Sequence, residues 1–274
     1  MTLHLRDDFA AAWKDADPFQ KVDALQGVVY RNVKGRRTLQ FEQDGKNYFA
    51  KIHHGVGWGE IIKNLLTLRL PILGAQNEWR AVAKLQQLGV ETMTAVAWGS
   101  RGWNPARRNS FIITEALEHT VSLEDYCAPW AKQRPPFAVK LRLLSALARI
   151  SHTVHGNGVC HRDFYICHFL LHENERFSAG EIREPRLSLI DLHRALISEQ
   201  LPQRWIIKDV AGLYFSALHI GLNRHDFLRF VKIYSGKPLR QALNEDAAFW
   251  TEVHRKALRM EAKINGTRQA DTTA

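Results

Sequence analysis

The chain has 274 residues, 45% hydrophobic and 24% charged, a composition ordinary for a globular protein and ample for one compact unit or two intimate lobes. No segment reaches the roughly 18 uncharged apolar residues of a spanning helix, and Asp7 and Asp8 interrupt the N-terminus where a secretory signal would need an apolar run, so a soluble or peripheral protein is expected. A formal charge of +10 calls for an anionic partner, while Cys127, Cys160 and Cys167 form neither an even framework nor a CxxC pair and suit a reducing cytoplasm.

In chain order, the first expected elements are three antiparallel strands. Val28 to Arg31 is β-prone, Thr38 to Glu42 alternates, Asp44-Gly45 marks a hairpin turn, and Lys46 to Ile52 runs aromatic and apolar. A helix over Trp58 to Leu70 follows, with Trp58, Ile61, Ile62, Leu65 and Leu66 at helical spacing. That stripe either packs on the protein's own core or meets a membrane or a partner. Asn77 can cap a second helix, Glu78 to Leu88, closed by Gly89. Val90 to Trp98 and Phe111 to Thr114 read as further strands around a polar loop, Arg101 to Asn109. From Leu123 the pattern turns helical, and Lys140 to His155 stops at Gly156-Asn157-Gly158. Two apolar runs, Phe169 to Leu171 and Leu187 to Ile190, bracket a turn-rich stretch from His172 to Pro185. Helices are expected again from Arg204 to about Ile264, before a disordered tail over 266–274. The expected class is α+β: a small antiparallel-sheet lobe over 1–117, with a helical insertion at about 56–75, then a larger, mainly helical lobe over 118–265.

His161-Arg162-Asp163 lies between a long helix and a short strand, the setting of a kinase catalytic loop, where a rigidly held aspartate orients an acceptor hydroxyl and takes its proton. Asp163 is the candidate; the bland alternative is a solvated loop aspartate. The apolar run Leu187 to Ile190 ends in Asp191, where a strand end can aim one carboxylate at Mg²⁺. Lys51 sits inside an apolar strand and needs a partner if buried. In a kinase it would contact the nucleotide α/β-phosphates and be held by Glu78, preferred over Glu60 because the Glu78 helix leads straight into the next strand. The alternative is an edge-strand lysine reaching solvent. Between the first two strands, Asn32 to Thr38 is either a phosphate cover, with Gly35 and the cations Lys34, Arg36 and Arg37, or a basic hairpin turn. Thr114-Glu115-Ala116-Leu117 stands where a hinge would offer backbone groups to adenine. No GxxxxGK[ST] or GxGxxG occurs, and the 13 histidines contain no closed zinc pattern.

Together these segments resemble the lipopolysaccharide core heptose (I) kinase family, related in fold to protein kinases and aminoglycoside phosphotransferases, over nearly the whole chain. The resemblance rests on Gly35-Arg36-Arg37-Thr38, Phe49-Ala50-Lys51-Ile52-His53, Asn77-Glu78-Trp79, His161 to Leu171, Ile190-Asp191-Leu192-His193 and Lys208-Asp209-Val210-Ala211. It implies a two-lobed protein-kinase-like fold, ATP as donor, Mg²⁺, and a lipid-linked inner-core heptose as acceptor, phosphorylated at the cytoplasmic face of the inner membrane. Peripheral contact with that membrane is part of the same expectation. Carried onto this chain, it assigns catalysis to Asp163 with Arg162 and His168, and ATP binding to Lys51, Glu78, Gly35, Arg36, Arg37, Glu115 and Leu117. Metal binding falls to Asp191, and support of the catalytic loop to His161 and Asp209, the latter's alternative being simple N-terminal helix charge.

His168 stands five positions after Asp163, where a protein kinase has a metal-binding asparagine. Hard Mg²⁺ gives imidazole little reason to coordinate, so His168 is read as a hydrogen-bond donor to Asp163 or a phosphate oxygen, with metal ligation as the alternative. A protein kinase or another small-molecule kinase of the same fold remains the competing function, lowered by the replacement of DFG with Asp191-Leu192-His193. A non-catalytic relative would typically have lost one of Lys51, Asp163 and Asp191. No nucleic-acid-binding module is recognisable, and no protein partner is indicated.

Overall fold

The computed structural model of the chain describes residues 1–33, 35–55, 57–66, 74–173 and 184–272. They divide into two units. Unit 1 comprises Met1–Gln86, Thr92–Glu118 and Asp191–Arg194, and unit 2 the segments Gln87–Glu91, His119–Ile190 and Ala195–Ala274.

Unit 1 runs β1 (Thr2–Leu5), α1 (Asp7–Ala12), α2 (Pro18–Asp23), β2 (Val28–Val33), β3 (Arg36–Gln43), β4 (Lys46–His54), α3 (Gly57–Leu66), α4 (Gln76–Gln87), β5 (Ala95–Arg101) and β6 (Asn109–Glu115). The strands form one antiparallel sheet in the order β1-β5-β6-β4-β3-β2. Alternation decides what each face carries. Leu39, Phe41, Tyr48, Ala50, Ile52, Phe111 and Ile113 point to a core completed by Phe9, Trp13, Phe19 and Val22 from the α1 and α2 segments. On the other face α4 is anchored by Trp79, stacked on Trp98 at 4.4 Å and packed with Ile112 and Ala75.

Several details differ from the sequence expectation. β1, α1 and α2 precede the first expected strand. β5 begins at Ala95, not Val90: the Glu91 carbonyl accepts from the Leu189 amide at 2.9 Å, outside that sheet, whereas the Thr94 carbonyl already accepts from the Glu115 amide of β6 at 2.9 Å. The polar loop before β6 contains a 3₁₀ turn, Pro105–Arg107, capped by Asn104. α3 covers Gly57–Leu66, and residues 67–73 of the expected helix lie outside the described residues. Its apolar stripe is split: Ile61 is buried, whereas Trp58, Ile62 and Leu66 are exposed.

Unit 2 contains β7 (Thr120–Ser122), α5 (Leu123–Cys127), α6 (Phe137–Gly156), β8 (Val159–Cys160), β9 (Phe169–His172), β10 (Leu187–Leu189), β11 (Leu196–Ile197), α7 (Gln203–Ser216), α8 (Arg224–Ser235), α9 (Leu239–Glu245) and α10 (Ala247–Thr272). β10-β9-β7 form a three-stranded sheet and β11-β8 a two-stranded one. α7 and α10 pack through Ile207, Val210, Ala211, Val253 and Ala257. α8 is closed at both ends, by an Asn223/Asp226 capping box and by Gly236 in the left-handed conformation. Most of the turn-rich stretch, 174–183, lies outside the described residues. α10 continues to Thr272, past the point where composition suggests that order ends. Among the described residues no helix is long and apolar enough to cross a membrane.

Candidate active site

Two constellations stand out, one in each unit. In unit 1, β4 lies between β3 and β6, and its register sets Lys51 opposite Thr38 on one side and Ile112 on the other. Since Ala50 and Ile52 face the core, Lys51 and His53 face away from it. Glu78, fully buried in the first turn of α4, receives the ammonium: Lys51 Nζ donates to Glu78 Oε1 at 2.6 Å. The start of α4 is pinned to β6, because the Ala75 amide donates to Ser110 Oγ at 3.0 Å. Gly74, at φ 154°, allows the approach, since a Cβ there would stand 2.3 Å from that oxygen. Glu60, the other candidate partner, belongs to α3, and its side chain lies outside the described set.

Lys51 has a second carboxylate, Asp191, whose Oδ1 lies 3.0 Å from Nζ. Burial alone would lower the proton affinity of Lys51, but the charges of Glu78 and Asp191 outweigh it and hold the ammonium above its ordinary range. Asp191 adopts a left-handed backbone at φ 61°, a conformation that costs a non-glycine residue about 1–2 kcal/mol. A 3₁₀ turn, Leu192–Arg194, follows, anchored by fully buried Leu192, and it brings His193 Nδ1 to 2.8 Å from Asp191 Oδ1. Burial pushes the Asp191 carboxyl up, yet the His193 hydrogen bond and the Lys51 charge prevail and hold it well below the usual carboxylate range.

Such a carboxylate suits a hard divalent ion. Among the described residues no group of three or more His, Cys, Asp or Glu side chains could hold a metal by itself. The donor set therefore fits an ion shared between one carboxylate and substrate phosphates, the usual habit of Mg²⁺, and not an all-protein cage.

The other expected nucleotide contacts separate. Arg36 pairs across the sheet with His53 and shares the face of Lys51. Arg37 shares the face of Leu39, and its guanidinium donates to the carbonyls of Asp23 and Leu25 at 3.1 and 2.8 Å. It braces the end of α2, on the opposite face from Lys51. Gly35 has φ 78° and packs against Gly55. The Glu115 side chain accepts from Arg6 at 2.6 Å and its amide donates to Thr94, while Leu117 lies just beyond the end of β6. His53, not among the expected site residues, is 6% exposed, with Nδ1 lacking a hydrogen-bond partner among the described residues. Burial, and then the charge of Arg36, pushes its pKa down to about 3, so the ring is neutral.

In unit 2 the loop after β8 is built around one carboxylate. Asp209, 1% exposed on α7, accepts from the His161 amide at 2.6 Å, the Arg162 amide at 2.8 Å and Cys160 Sγ at 3.1 Å. Burial raises its proton affinity, but His155 and these donors outweigh it, and the carboxyl titrates below its ordinary value. Arg162 takes the left-handed conformation at φ 71°, its guanidinium over the Trp205 ring at 4.9 Å and its carbonyl accepting from Lys208 at 3.0 Å. His161 Nε2 donates to the Ile190 carbonyl at 2.8 Å, and its Nδ1 accepts from the Asp163 amide at 3.3 Å. His168 Nδ1 donates to the Asp163 carbonyl at 2.7 Å, and its ring stacks on His161.

Asp163 is thus held through both its backbone groups, and its side chain is partly exposed. α7 contributes beyond Asp209. A Cβ on Gly212 would stand 3.1 Å from the Phe164 carbonyl oxygen, and Ser216 Oγ accepts from the Ile166 amide at 3.1 Å. Asp209, Gly212 and Ser216 recur at i, i+3 and i+7 on one helix face, a periodicity visible in the sequence only once Asp209 is known to brace the loop.

Residues 20–234 match the sequence profile of the Lipopolysaccharide kinase (Kdo/WaaP) family. The chain is 52% identical over 257 residues to the lipopolysaccharide core heptose(I) kinase WaaP of Pseudomonas aeruginosa, covering 94% of this chain and 95% of that protein. It is 47% identical to the protein of the same name from Escherichia coli over 261 residues, 95% of this chain and 97% of the relative. A solved structure described as WaaP in complex with acyl carrier protein superposes with a TM-score of 0.83 at 47% identity, covering 94% of this chain and 99% of that one.

Proposed function

The chain belongs to the lipopolysaccharide kinase (Kdo/WaaP) family, and from that premise we propose that it transfers the γ-phosphoryl group of ATP, with Mg²⁺, to a heptose hydroxyl of the lipopolysaccharide inner core. The observation that carries this reading is Lys51 held between Glu78 at 2.6 Å and Asp191 at 3.0 Å, a fixed cation beside an ionised acid. Lys51 pairs the α/β-phosphates, and Arg36 adds charge on the same sheet face. Asp191 would hold the magnesium, which when bound neutralises charge on the phosphate oxygens. Asp163 orients the acceptor hydroxyl and accepts its proton as the oxygen bonds to the γ-phosphorus and the bond to the departing ADP oxygen breaks. His168 serves as a donor that fixes the Asp163 backbone, and His161, Arg162 and Asp209 keep the loop in shape.

The surplus of 38 basic over 28 acidic residues favours an acceptor rich in phosphate and carboxylate. We place the enzyme in the cytoplasm, peripheral on the inner membrane where a lipid-linked core would be presented. Because a relative has been solved with acyl carrier protein, we extend that partner to this chain as well.

Mass spectrometry of heptosylated core after incubation with enzyme, ATP and magnesium tests the reading: a gain of one phosphate on heptose is expected. Asp163→Ala should abolish that gain while ATP binding persists, and retention of more than about a tenth of wild-type turnover would overturn the role of Asp163.

A further inference from the structure

Three backbone segments meet at one end of the unit 1 sheet. Gly35, in the β2–β3 turn, lies so close to Gly55 that a Cβ on it would stand 2.4 Å from the Gly55 carbonyl oxygen. Gly55 in turn presses on the Pro105–Arg107 turn, where a Cβ would meet the Ala106 oxygen at 2.4 Å. α3 begins two residues beyond Gly55 and packs on that same turn. The hairpin tip, the start of α3 and the loop before β6 are therefore one contiguous surface.

Large apolar side chains stand out from it. Trp103 is 90% exposed, Leu66 80%, Trp58 55% and Ile62 51%. Trp58, Ile62 and Leu66 recur every fourth residue along one exposed line of α3, beside buried Ile61. Isolated exposed apolar residues need no explanation, but a clustered set does. Arg31, Lys63, Arg107 and Arg108 lie in the same segments, where Glu60 is the sole acid.

We propose that this end of the sheet docks on an anionic lipid bilayer, with Trp58, Ile62, Leu66 and Trp103 in the interfacial layer and the cations among the headgroups. A helix of this kind lies in the plane of the interface with its apolar line turned down. Tryptophan suits that depth because its ring is apolar and its N–H is wet. Cations near an anionic leaflet add to the attraction, and salt screens that part of it. An apolar line bordered by cations, with one acid among them, is complementary to a surface that is apolar beneath and uniformly negative above.

The proposal rests on the peripheral-membrane reading above. Its test needs neither acceptor nor nucleotide, so it can fail while phosphoryl transfer stands, and the reverse. The full chain is sedimented with phosphatidylcholine vesicles with and without phosphatidylglycerol, and tryptophan emission is recorded. Binding to the anionic vesicles, a blue shift and weakening by salt are expected. Trp58→Ser combined with Leu66→Ser should weaken partitioning about tenfold or more, with an unchanged thermal midpoint because both side chains are already in solvent. Trp103→Ser alone should remove part of the blue shift. Equal partitioning of the double variant and the wild type would overturn the proposal. So would a wild-type protein that ignores the vesicles, including one that instead uses Trp58 and Leu66 to bind acyl carrier protein or a second copy of itself.

Discussion

In unit 1 the critical groups are charges held by other charges: Lys51 between Glu78 and Asp191, and Asp191 between Lys51 and His193. In unit 2 the proposed catalytic residue, Asp163, is held through its backbone, and the loop around it hangs on one buried carboxylate that takes three donors. The first arrangement sets ionisation states; the second sets a shape. Damage should differ accordingly, with the charge cluster failing in chemistry and the braced loop failing in stability as well.

The largest test of that contrast is Asp209→Ala. It strips the acceptor from two buried amides and a thiol, at about 1–3 kcal/mol for each unsatisfied donor, so urea denaturation should record a loss of about 3–5 kcal/mol together with loss of turnover. Asp209→Asn, which keeps one carbonyl oxygen, should recover part of both. A loss below about 1 kcal/mol would break the distinction between the two halves.

Glu78→Gln probes the other half. The amide keeps the shape and an acceptor oxygen, and Asp191 remains as a charged partner for Lys51, so the stability loss should be about 1–3 kcal/mol, below that of Asp209→Ala. Turnover should fall about tenfold or more, near 1.4 kcal/mol of lost transition-state stabilisation, because Lys51 loses its better-buried partner. Full turnover at unchanged ATP affinity would make the pair a packing device, and the comparison would then fail from the opposite side.

The smallest effect at neutral pH belongs to His53. Its folded pKa of about 3 lies below the ordinary 6.5, so between those values the unfolded chain binds a proton that the folded chain does not. Stability from this residue is complete above about 6.5 and falls as pH drops, by up to about 1.4 kcal/mol per pH unit. Asp191 and Asp209 titrate below the ordinary 3.8, so they contribute only at the acid end of the window. His53→Leu should flatten the denaturation profile between pH 6.5 and 4 while changing little at pH 7; an unchanged slope would mean the ring is not buried neutral.

The residues proposed for the chemistry are legible because phosphoryl transfer constrains their linear order. Lys51 in an apolar strand, the HRD tripeptide and Asp191 after an apolar run are each ambiguous, and it is their succession along the chain that points to a kinase. Preferring Glu78 to Glu60 followed from which helix leads into the next strand, and the Lys51 contact agrees. The sequence reading groups Arg36 with Arg37, although parity separates them, since Leu39 and Phe41 fix the core face of β3 and Arg37 shares it. His193 was invisible for a different reason. Its approach to Asp191 depends on a left-handed residue and a 3₁₀ turn, and neither leaves a mark in residue type. β1, α1 and α2, at four, six and six residues, are too short for periodicity to register, and their placement comes from Phe9, Phe19 and Val22 packing on the sheet.

Asp191–Arg194 belongs to unit 1 although the chain reaches it only after two of unit 2's three segments, Gln87–Glu91 and His119–Ile190, and the Lys51–Asp191 pair spans 140 positions. During synthesis, then, the sheet of unit 1 can assemble from the first 118 residues with Lys51 paired to Glu78 alone. Its second carboxylate arrives as one of the most non-local contacts in the molecule, and such contacts close late because loop-closure entropy is spent before they return anything. A nascent chain interrupted before residue 191 would hold a formed lysine–glutamate pair and no means of completing it. Competence for catalysis is in that sense timed by the ribosome, reached only once the polypeptide that separates the two partners has been made.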